Sequence, residues 1–429
     1  MCNKNKIYVI FSVVFFVPSI LFGQKNTAVF KDAIKAERDS FYNKIVRSIN
    51  RTITLPLDSS TDEQWQSAFH NIGFINYKNT AVTKAIKKIS PQVILQTDDC
   101  KKAFLNLANN LYPKSYFSVA KNICETTTDN KLFAMCIHYM LYSRPTSFGP
   151  EWITNKVSEA ISKNPNDAIL HQLNVELYNT FNKNPIPDIS SFFDKNYLPN
   201  TTIVFSFQRV DRNYPGLAMI RKPDGNFAKN DDGTYFSVPQ LARSISNMPG
   251  YITNGNTPQG IFKMNGFDTS INYFIGSTTN IQLAMPNEYN RSFINGDIVD
   301  TTWTLEQYKN LLPPNLQNYK PLYGTFYAGK AGRTEIIAHG TTVNPAYYSS
   351  NSFYPHTPTM GCLTSVEIWN NKTGLLQKSN QQKLTAALQK NGGAFGYLIV
   401  IELDNTSSEI YRGNLPVSLK DIMMYLTKK

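Results

Sequence analysis

Apolar positions in the first half of the chain recur at helical spacing. Between residues 24 and 183 they fall three or four positions apart, which puts the apolar side chains of each run on one face of a helix. Prolines, which cannot continue a helix interior, separate these runs at Pro91, Pro113, Pro145, Pro150 and Pro165. The pattern predicts an all-α domain of helical hairpins, which either stack as in HEAT or TPR arrays or pack irregularly.

The second half carries the short apolar runs of β-strands. The run at 397–403 is almost continuously apolar, as a buried central strand should be. The predicted fold class is therefore α+β, with the all-α domain at 24–183 and a mostly β domain at 202–429. Further strands are predicted at 203–207, 217–220, 258–264, 272–275, 281–285 and 323–327, and short helices at 384–388 and 419–426.

Two segments interrupt this two-domain organisation. The stretch 184–201 opens with NPIPD, a composition typical of a linker. Residues 286–325 lie between predicted strands and are too long for an ordinary connection, so we predict an insertion. It either covers an active site as a lid or packs against the domain as a decoration.

The first 23 residues have the pattern of a secretory signal peptide. Lys4 and Lys6 precede an apolar run at 7–22, and Gly23 offers a small residue for cleavage. We therefore predict an exported protein of the periplasm or cell envelope. The formal charge is +12, or +10 without the two lysines, which suits either an anionic surface such as cell wall or an evenly solvated basic surface. No Lys/Arg stripe with interleaved aromatic residues is present, so nucleic acid is not an expected partner.

Five cysteines divide into three settings. Cys2 lies in the predicted signal peptide. Cys100, Cys124 and Cys136 lie together in the helical half, where they either form one disulfide with one thiol left over or remain three buried thiols. Cys362 lies alone, in a polar turn next to a glycine, and this setting favours a reactive thiol over a packing cysteine. The spacing of Cys and His residues does not suit zinc, so no metal is expected.

The stretch 336–366 contains the residue types that cysteine-dependent acyl transfer requires. A predicted strand ends at His339-Gly340, a polar loop follows, and Gly361-Cys362 comes next. Cys362 would be the nucleophile and His339 the base, with the N–H groups of Gly361 and Cys362 facing the substrate carbonyl oxygen. Gly361 lacks a Cβ, which allows a tight turn and close approach of a substrate.

These residues resemble the L,D-transpeptidase (YkuD-type) catalytic domain family. That family has His-Gly after a strand and Ser/Thr-His-Gly-Cys after a loop; here 339–341 reads HGT and 359–363 reads TMGCL. Upstream, 256–262 reads NTPQGIF, which is similar to the family's Thr-Pro-x-Gly-x-Phe strand. The resemblance covers residues 202–405, about half of the chain.

The resemblance implies a cell-wall acyltransferase that uses Cys362 and His339 and needs no cofactor. Its thiol would attack the carbonyl joining an L-centre of a diamino acid to a terminal D-amino acid in a peptidoglycan stem peptide. An amine of a second stem would resolve the thioester as a cross-link. The helical domain is expected to bind a protein partner or to position substrate. The residues expected to contact substrate are Gly340, His356, Thr359, Gly361 and Thr364.

Two positions depart from the family pattern. Met360 stands where the family has its second His, and Thr364 stands where it usually has Arg or Asn. The second His generally shapes the pocket and is not the base, so the pair of nucleophile and base is retained. His356, six positions before Cys362, either occupies the space of the missing His or is an exposed loop residue.

Other functions fit the same residues. With water as the acceptor, the protein would be an L,D-carboxypeptidase or endopeptidase; with a decayed site, it would be a non-catalytic cell-wall binding protein. A papain-like peptidase is a poor fit, because there the Cys precedes the His, whereas here His339 precedes Cys362. Lys330 and Arg333 either meet a substrate carboxylate or are solvated charges.

Overall fold

The computed structural model describes residues 28–182, 186–288, 303–403 and 416–426. The predicted signal peptide, the first part of the predicted linker and residues 289–302 of the predicted insertion lie outside these ranges. Within them, none of the helices has both the length and the apolar character that a bilayer span requires.

The N-terminal region is all-helical and packs around a central helix. That helix, α6, is Asn130–Ser143, and nearly all of its side chains are buried. The side chains of Thr97 and Asp129 cap the N-termini of α4 (Asp98–Leu111) and α6 by accepting backbone N–H groups. The other helices are α1 (Lys35–Thr52), α2 (Asp62–Phe74), α3 (Thr80–Ile89), α4 (Asp98–Leu111), α5 (Phe117–Thr126), α7 (Glu151–Lys163) and α8 (Ala168–Asn182).

The second region is built on one eight-stranded sheet, which confirms the α+β class. The strands are β1 (Ile203–Gln208), β2 (Gly216–Arg221), β3 (Val238–Gln240), β4 (Gly260–Asp268), β5 (Asn280–Ala284), β6 (Ile337–His339), β7 (Leu363–Thr364) and β10 (Tyr397–Glu402). Their order is β3-β2-β1-β10-β4-β5-β6-β7, with β10 in the middle and buried as predicted. A separate hairpin pairs β8 (Glu367–Trp369) with β9 (Leu376–Ser379).

The two edges of the large sheet approach each other. Leu241, just after β3, exchanges two backbone hydrogen bonds of 2.8 and 2.9 Å with Thr364 of β7. The sheet is therefore nearly a closed barrel, and the short strand β7 lies at the seam between its first and last strands. This seam is where the candidate site is found.

Both faces of the sheet are covered. On one face, Phe205, Phe207 and Ile399 belong to a core that includes Tyr308. On the other face, Val204 and Val400 pack with helix α11 (Asn380–Lys390). The alternation of successive side chains between the two faces is that of regular strands. The C-terminal helix α12 (Leu419–Leu426) forms as predicted.

The helical region and the sheet region share a core. Met248, Tyr251 and Ile252 from the second region are buried among the helices. Arg38 of α1 donates a 2.9 Å hydrogen bond to the carbonyl of Thr342. The helical region also contributes side chains to the cleft described below.

Two predicted strands are wrong. Residues 323–327 form the start of helix α10 (Gly324–Lys330), whose aromatic side chains are buried in the core. Residues 272–275 form a turn instead of a strand. The apolar character of that turn has another cause: Tyr273 lies against Phe41 of α1, with ring centroids 4.7 Å apart, and Phe274 lies edge-on to Phe74 of α2 at 5.3 Å.

The described part of the predicted insertion packs as a decoration. Helix α9 (Leu305–Lys309) carries Tyr308, which is fully buried. The Tyr308 hydroxyl accepts the N–H of Ile261 at 2.9 Å and lies 2.7 Å from the Thr325 hydroxyl. None of the described residues in this segment lines the candidate site. The segment 186–201, from the predicted linker, also packs on the sheet, with Phe192 fully buried.

Of the two alternatives for the cysteines of the helical half, the structure has the three buried thiols and not the disulfide. Cys100, Cys124 and Cys136 are separate, buried thiols. Burial raises the pKa of Cys100 and of Cys124 to about 12, and it raises the pKa of Cys136 well above its usual value. These thiols are therefore protonated and unreactive in the folded protein.

Thiol counting checks this arrangement. Denatured, unreduced protein that lacks residues 1–23, and with them Cys2, should show four free thiols from Cys100, Cys124, Cys136 and Cys362. The native protein should show one that reacts rapidly, Cys362, because it is the partly exposed one. A count of two in the denatured protein would mean that a disulfide does form.

Candidate active site

Cys362 and His339 line one cleft of about 720 Å³ between the helical region and the sheet. β6 ends at His339, and it pairs in parallel with β7, so that His339 lies opposite Thr364. Cys362 immediately precedes β7. His339 therefore ends one strand and Cys362 precedes its parallel neighbour, so the two residues lie at opposite ends of two very short strands, and the side chains of both line the cleft. The Cys362 thiol donates to the carbonyl of Glu335 at 3.7 Å.

His339 is held in one orientation. Its Nδ1 is hydrogen-bonded to the carbonyl oxygen of Gly340, so Nδ1 carries the proton and Nε2 is left as the acceptor. Burial lowers the pKa of His339 to about 4, which keeps the ring neutral above about pH 5. A neutral imidazole with a free Nε2 lone pair is the form that a general base requires.

The turn before Cys362 is fixed by two threonines. The Thr359 hydroxyl accepts the N–H of Gly361 at 3.0 Å and donates to the carbonyl of Cys362 at 2.9 Å. The Thr257 hydroxyl donates to the carbonyl of Gly361 at 2.8 Å. The upstream motif at 256–262 and the cysteine turn are thus in direct contact. The expectation that the Gly361 N–H faces the substrate is wrong, because Thr359 already accepts it.

A buried guanidinium lies beneath this turn. Arg333 donates to the backbone carbonyls of Gly250, Asn256 (2.7 Å) and Gly255 (2.5 Å). Gly361 has φ of +120°, and a Cβ there would lie 1.9 Å from Arg333 Nη2. Among the described residues, no carboxylate forms an ion pair with Arg333. Burial lowers the pKa of Arg333 to about 10. Electrostatic attraction between the guanidinium and a thiolate at Cys362 acts in the opposite direction and raises this pKa.

The predicted site residues separate into those that line the cleft and those behind it. Cys362, His339 and Thr359 line it. Gly340, Gly361 and Thr364 are buried behind it, where Thr364 donates to the carbonyl of Thr357 at 3.0 Å. His356 is also buried and does not line the cleft, so neither suggestion made for it from sequence is right. Arg333 is too enclosed to meet a substrate carboxylate.

Glu367 is a site residue that the sequence did not reveal. Its carboxyl group packs against Gly340, where a Cβ would lie 2.1 Å from Glu367 Cδ, and it accepts a 2.7 Å hydrogen bond from Ser379. Gly340 is thus required by close packing beside His339. Burial raises the pKa of Glu367 to about 7. In the sequence, Gly340 is the feature that could have indicated a side chain packed closely beside His339.

The raised pKa of Glu367 predicts a pH-dependent cost to stability. Below about pH 4.5 the carboxyl is protonated in both folded and unfolded protein, so the cost is absent. It grows as the pH rises towards 7, because only the unfolded chain ionises freely. Glu367→Gln should therefore stabilise the protein relative to wild type at pH 8, by at most about 3 kcal/mol, and have little effect at pH 4.5. Urea unfolding at both pH values measures this; equal effects at both would show that Glu367 is not held protonated.

Comparison with protein-family models, with curated proteins and with solved structures finds no match for this chain. In the described part of the chain, no group of three or more His, Cys, Asp or Glu side chains could hold a metal ion.

Proposed function

We propose that this protein is a cysteine acyltransferase that acts on peptidoglycan stem peptides, with an L,D-transpeptidase-like second region. The observation that carries the proposal is that Cys362 and an oriented, neutral His339 line the same cleft. The sequence motifs that resemble the family support the substrate, and the contact between Thr257 and Gly361 joins those motifs in space. The signal-like N-terminus supports export to the cell envelope.

In the proposed reaction, His339 Nε2 takes the proton of Cys362, and Sγ forms a bond to the stem carbonyl carbon. The tetrahedral adduct collapses when His339 returns that proton to the leaving D-amino acid nitrogen, which leaves a thioester on Cys362. An amine of a second stem, or water, then attacks the thioester carbonyl and releases the thiol. The amine gives a cross-link and water gives hydrolysis, so the L,D-carboxypeptidase alternative uses the same residues.

Arg333 contributes charge to this reaction. Since burial disfavours a protonated His339, an imidazolium is a poor counter-ion for the Cys362 thiolate. The guanidinium of Arg333, packed against Gly361, supplies a permanent positive charge instead. It does not touch the substrate and acts through the nucleophile.

Arg333→Gln should raise the pH at which alkylation of Cys362 is half-maximal by about one pH unit or more, since the charge is lost while amide donors remain. Arg333→Lys should restore much of the original midpoint. The charges of Glu288 and Lys131 also interact electrostatically with Arg333, and both residues are unchanged in the two variants. A midpoint that does not move in Arg333→Gln would assign Arg333 a packing role alone.

The function itself is tested by mass spectrometry of the protein incubated with a disaccharide tetrapeptide. We expect an acyl adduct on Cys362, followed by cross-linked dimer or tripeptide, and no adduct on Cys362→Ala. A folded protein whose thiol alkylates normally but never gains the acyl mass would overturn the stem-peptide substrate. Dimer as the product supports transfer, and tripeptide alone supports hydrolysis.

A further inference from the structure

A second cavity, of about 400 Å³, lies between the helical region and the sheet region. None of the described residues that line it also lines the Cys362 cleft. We propose that this cavity binds a neutral saccharide. Its volume is within the range of about 300–1,000 Å³ that small-molecule sites occupy. The inference goes beyond the proposed acyl transfer and does not depend on it, because it uses neither Cys362 nor His339.

Both regions of the protein contribute walls to this cavity. From α8, the side chains of Gln172, Glu176 and Asn179 line it. Their spacing of four and three residues places them on one face of the helix. Further lining residues come from α6, from the segment 247–259 and from the end of β10. The cavity is therefore part of the interface between the two regions.

The ionised groups of the described lining are paired with one another. Glu176 lies 2.6 Å from His138 Nδ1 and accepts a hydrogen bond from the Tyr251 hydroxyl. Burial raises the pKa of Glu176, but His138 and Tyr251 outweigh it and hold that pKa below its ordinary value. Arg212 forms an ion pair of 2.7 Å with Glu402. A charged ligand would lose its hydration here while competing with these pairs, whereas a neutral ligand leaves them intact.

A buried amide in the lining points to a ligand that accepts hydrogen bonds. Gln172 is 6% exposed, and among the described residues nothing accepts a hydrogen bond from its Nε2. A buried donor without an acceptor is destabilising, and such groups are rare in folded proteins. An acceptor on a ligand in the cavity would remove this cost.

The lining as a whole suits a ligand that both donates and accepts hydrogen bonds. The carboxylates of Glu176 and Glu402 only accept, whereas the amides of Gln172 and Asn179 also donate. A hydroxyl group does both, so a ligand with several hydroxyls serves both kinds of side chain without carrying charge. Tyr142, which is 46% exposed, adds an aromatic ring to the lining, on which the C–H face of a sugar ring can pack. These features favour a saccharide over an amine, a carboxylate or an apolar ligand.

The test is isothermal titration calorimetry of the Cys362→Ala protein with two disaccharides of the same ring skeleton. At pH 6, N,N′-diacetylchitobiose is neutral and chitobiose carries ammonium groups. Because Cys362→Ala cannot be acylated, the titration measures binding alone. We expect diacetylchitobiose to bind, and chitobiose to bind about tenfold or more weakly, since its ammonium groups would lose hydration beside carboxylates that are already paired. Equal or tighter binding of chitobiose, or no binding of either disaccharide, would overturn the inference.

Variants of α8 locate the site. Gln172→Leu and Asn179→Ala should each weaken the binding of diacetylchitobiose about fivefold, the loss of one hydrogen bond. Gln172→Leu should not lower the stability to urea, because its amide nitrogen has no protein partner to lose. Asn174→Ala removes an exposed amide of the same helix outside the cavity and should leave binding unchanged.

Two outcomes separate this inference from the proposed function. Binding that is unchanged in both Gln172→Leu and Asn179→Ala would place the saccharide elsewhere and overturn the inference. Binding that depends on these residues, in a protein whose wild type gains no acyl mass from the tetrapeptide, would retain the saccharide site and remove only the acyl transfer.

Discussion

Replacing His339 with alanine should slow acylation of Cys362 by about 10²–10⁴-fold, the usual contribution of a general base. The reason is geometric: Nδ1 is committed to the Gly340 carbonyl, so Nε2 is the nitrogen that can accept the thiol proton. Because burial keeps the ring neutral, wild-type activity should not fall between pH 7 and pH 5.5 through protonation of His339. Rates of acyl-enzyme formation, followed by mass spectrometry, measure both effects.

His356 provides the matched control for this prediction. Like His339, it is buried, and burial lowers its pKa to about 4. Its Nδ1 lies 3.2 Å from the Phe353 carbonyl, and the ring does not line the cleft. His356→Ala should retain most of the activity of the fraction that remains folded. If His356→Ala abolished acylation while His339→Ala did not, the assignment of the base would be reversed.

Gly361→Ala should destabilise the protein by about 3–5 kcal/mol, the range found when a buried charge loses its partners. The new Cβ would meet Arg333 Nη2 at 1.9 Å and the Gly255 carbonyl at 2.6 Å. The guanidinium would have to leave the carbonyls that hold it, inside a dry environment. In addition, φ of +120° is nearly restricted to glycine.

Gly233→Ala separates these two causes. Gly233 also has a positive φ, +82°, but a Cβ there would meet nothing within 4 Å. Backbone strain alone should cost about 1–2 kcal/mol at that position. Urea unfolding of both variants gives the comparison, together with the alkylation rate of Cys362. Equal losses would mean that Arg333 is not packed against the cysteine turn as described.

Local patterns in the sequence were sufficient to predict the elements in which apolar residues follow a single helical or strand spacing. The central strand β10 and the all-helical first region follow from apolar spacing. The pair of His339 and Cys362 follows from the motif, because His339 ends β6, Cys362 precedes β7, and these two short strands are neighbours in the sheet. The orientation of His339 by Gly340 needs only adjacent residues, so it too was accessible from sequence.

Features that depend on distant segments were not predictable in the same way. The apolar aromatic residues of the turn at 272–275 led to the prediction of a strand. In the structure these side chains pack against Phe41 and Phe74 of the helical region, which are distant in sequence. The enclosure of Arg333 depends on carbonyls near residue 250. Glu367, likewise, is recognisable as a neighbour of His339 only when the β8–β9 hairpin is placed.

The helical wall of the cleft also affects when the protein acquires its reactivity during synthesis. Phe41 and Cys362 are 321 positions apart in the sequence, and both line the cleft. Chains are made from the N-terminus and fold domain by domain, and contacts across so large a separation form late. An incomplete or still unfolded chain therefore has a thiol of ordinary reactivity, without the Arg333 charge or the His339 base. In the proposed reaction, activation of the nucleophile is thus coupled to completion of the fold.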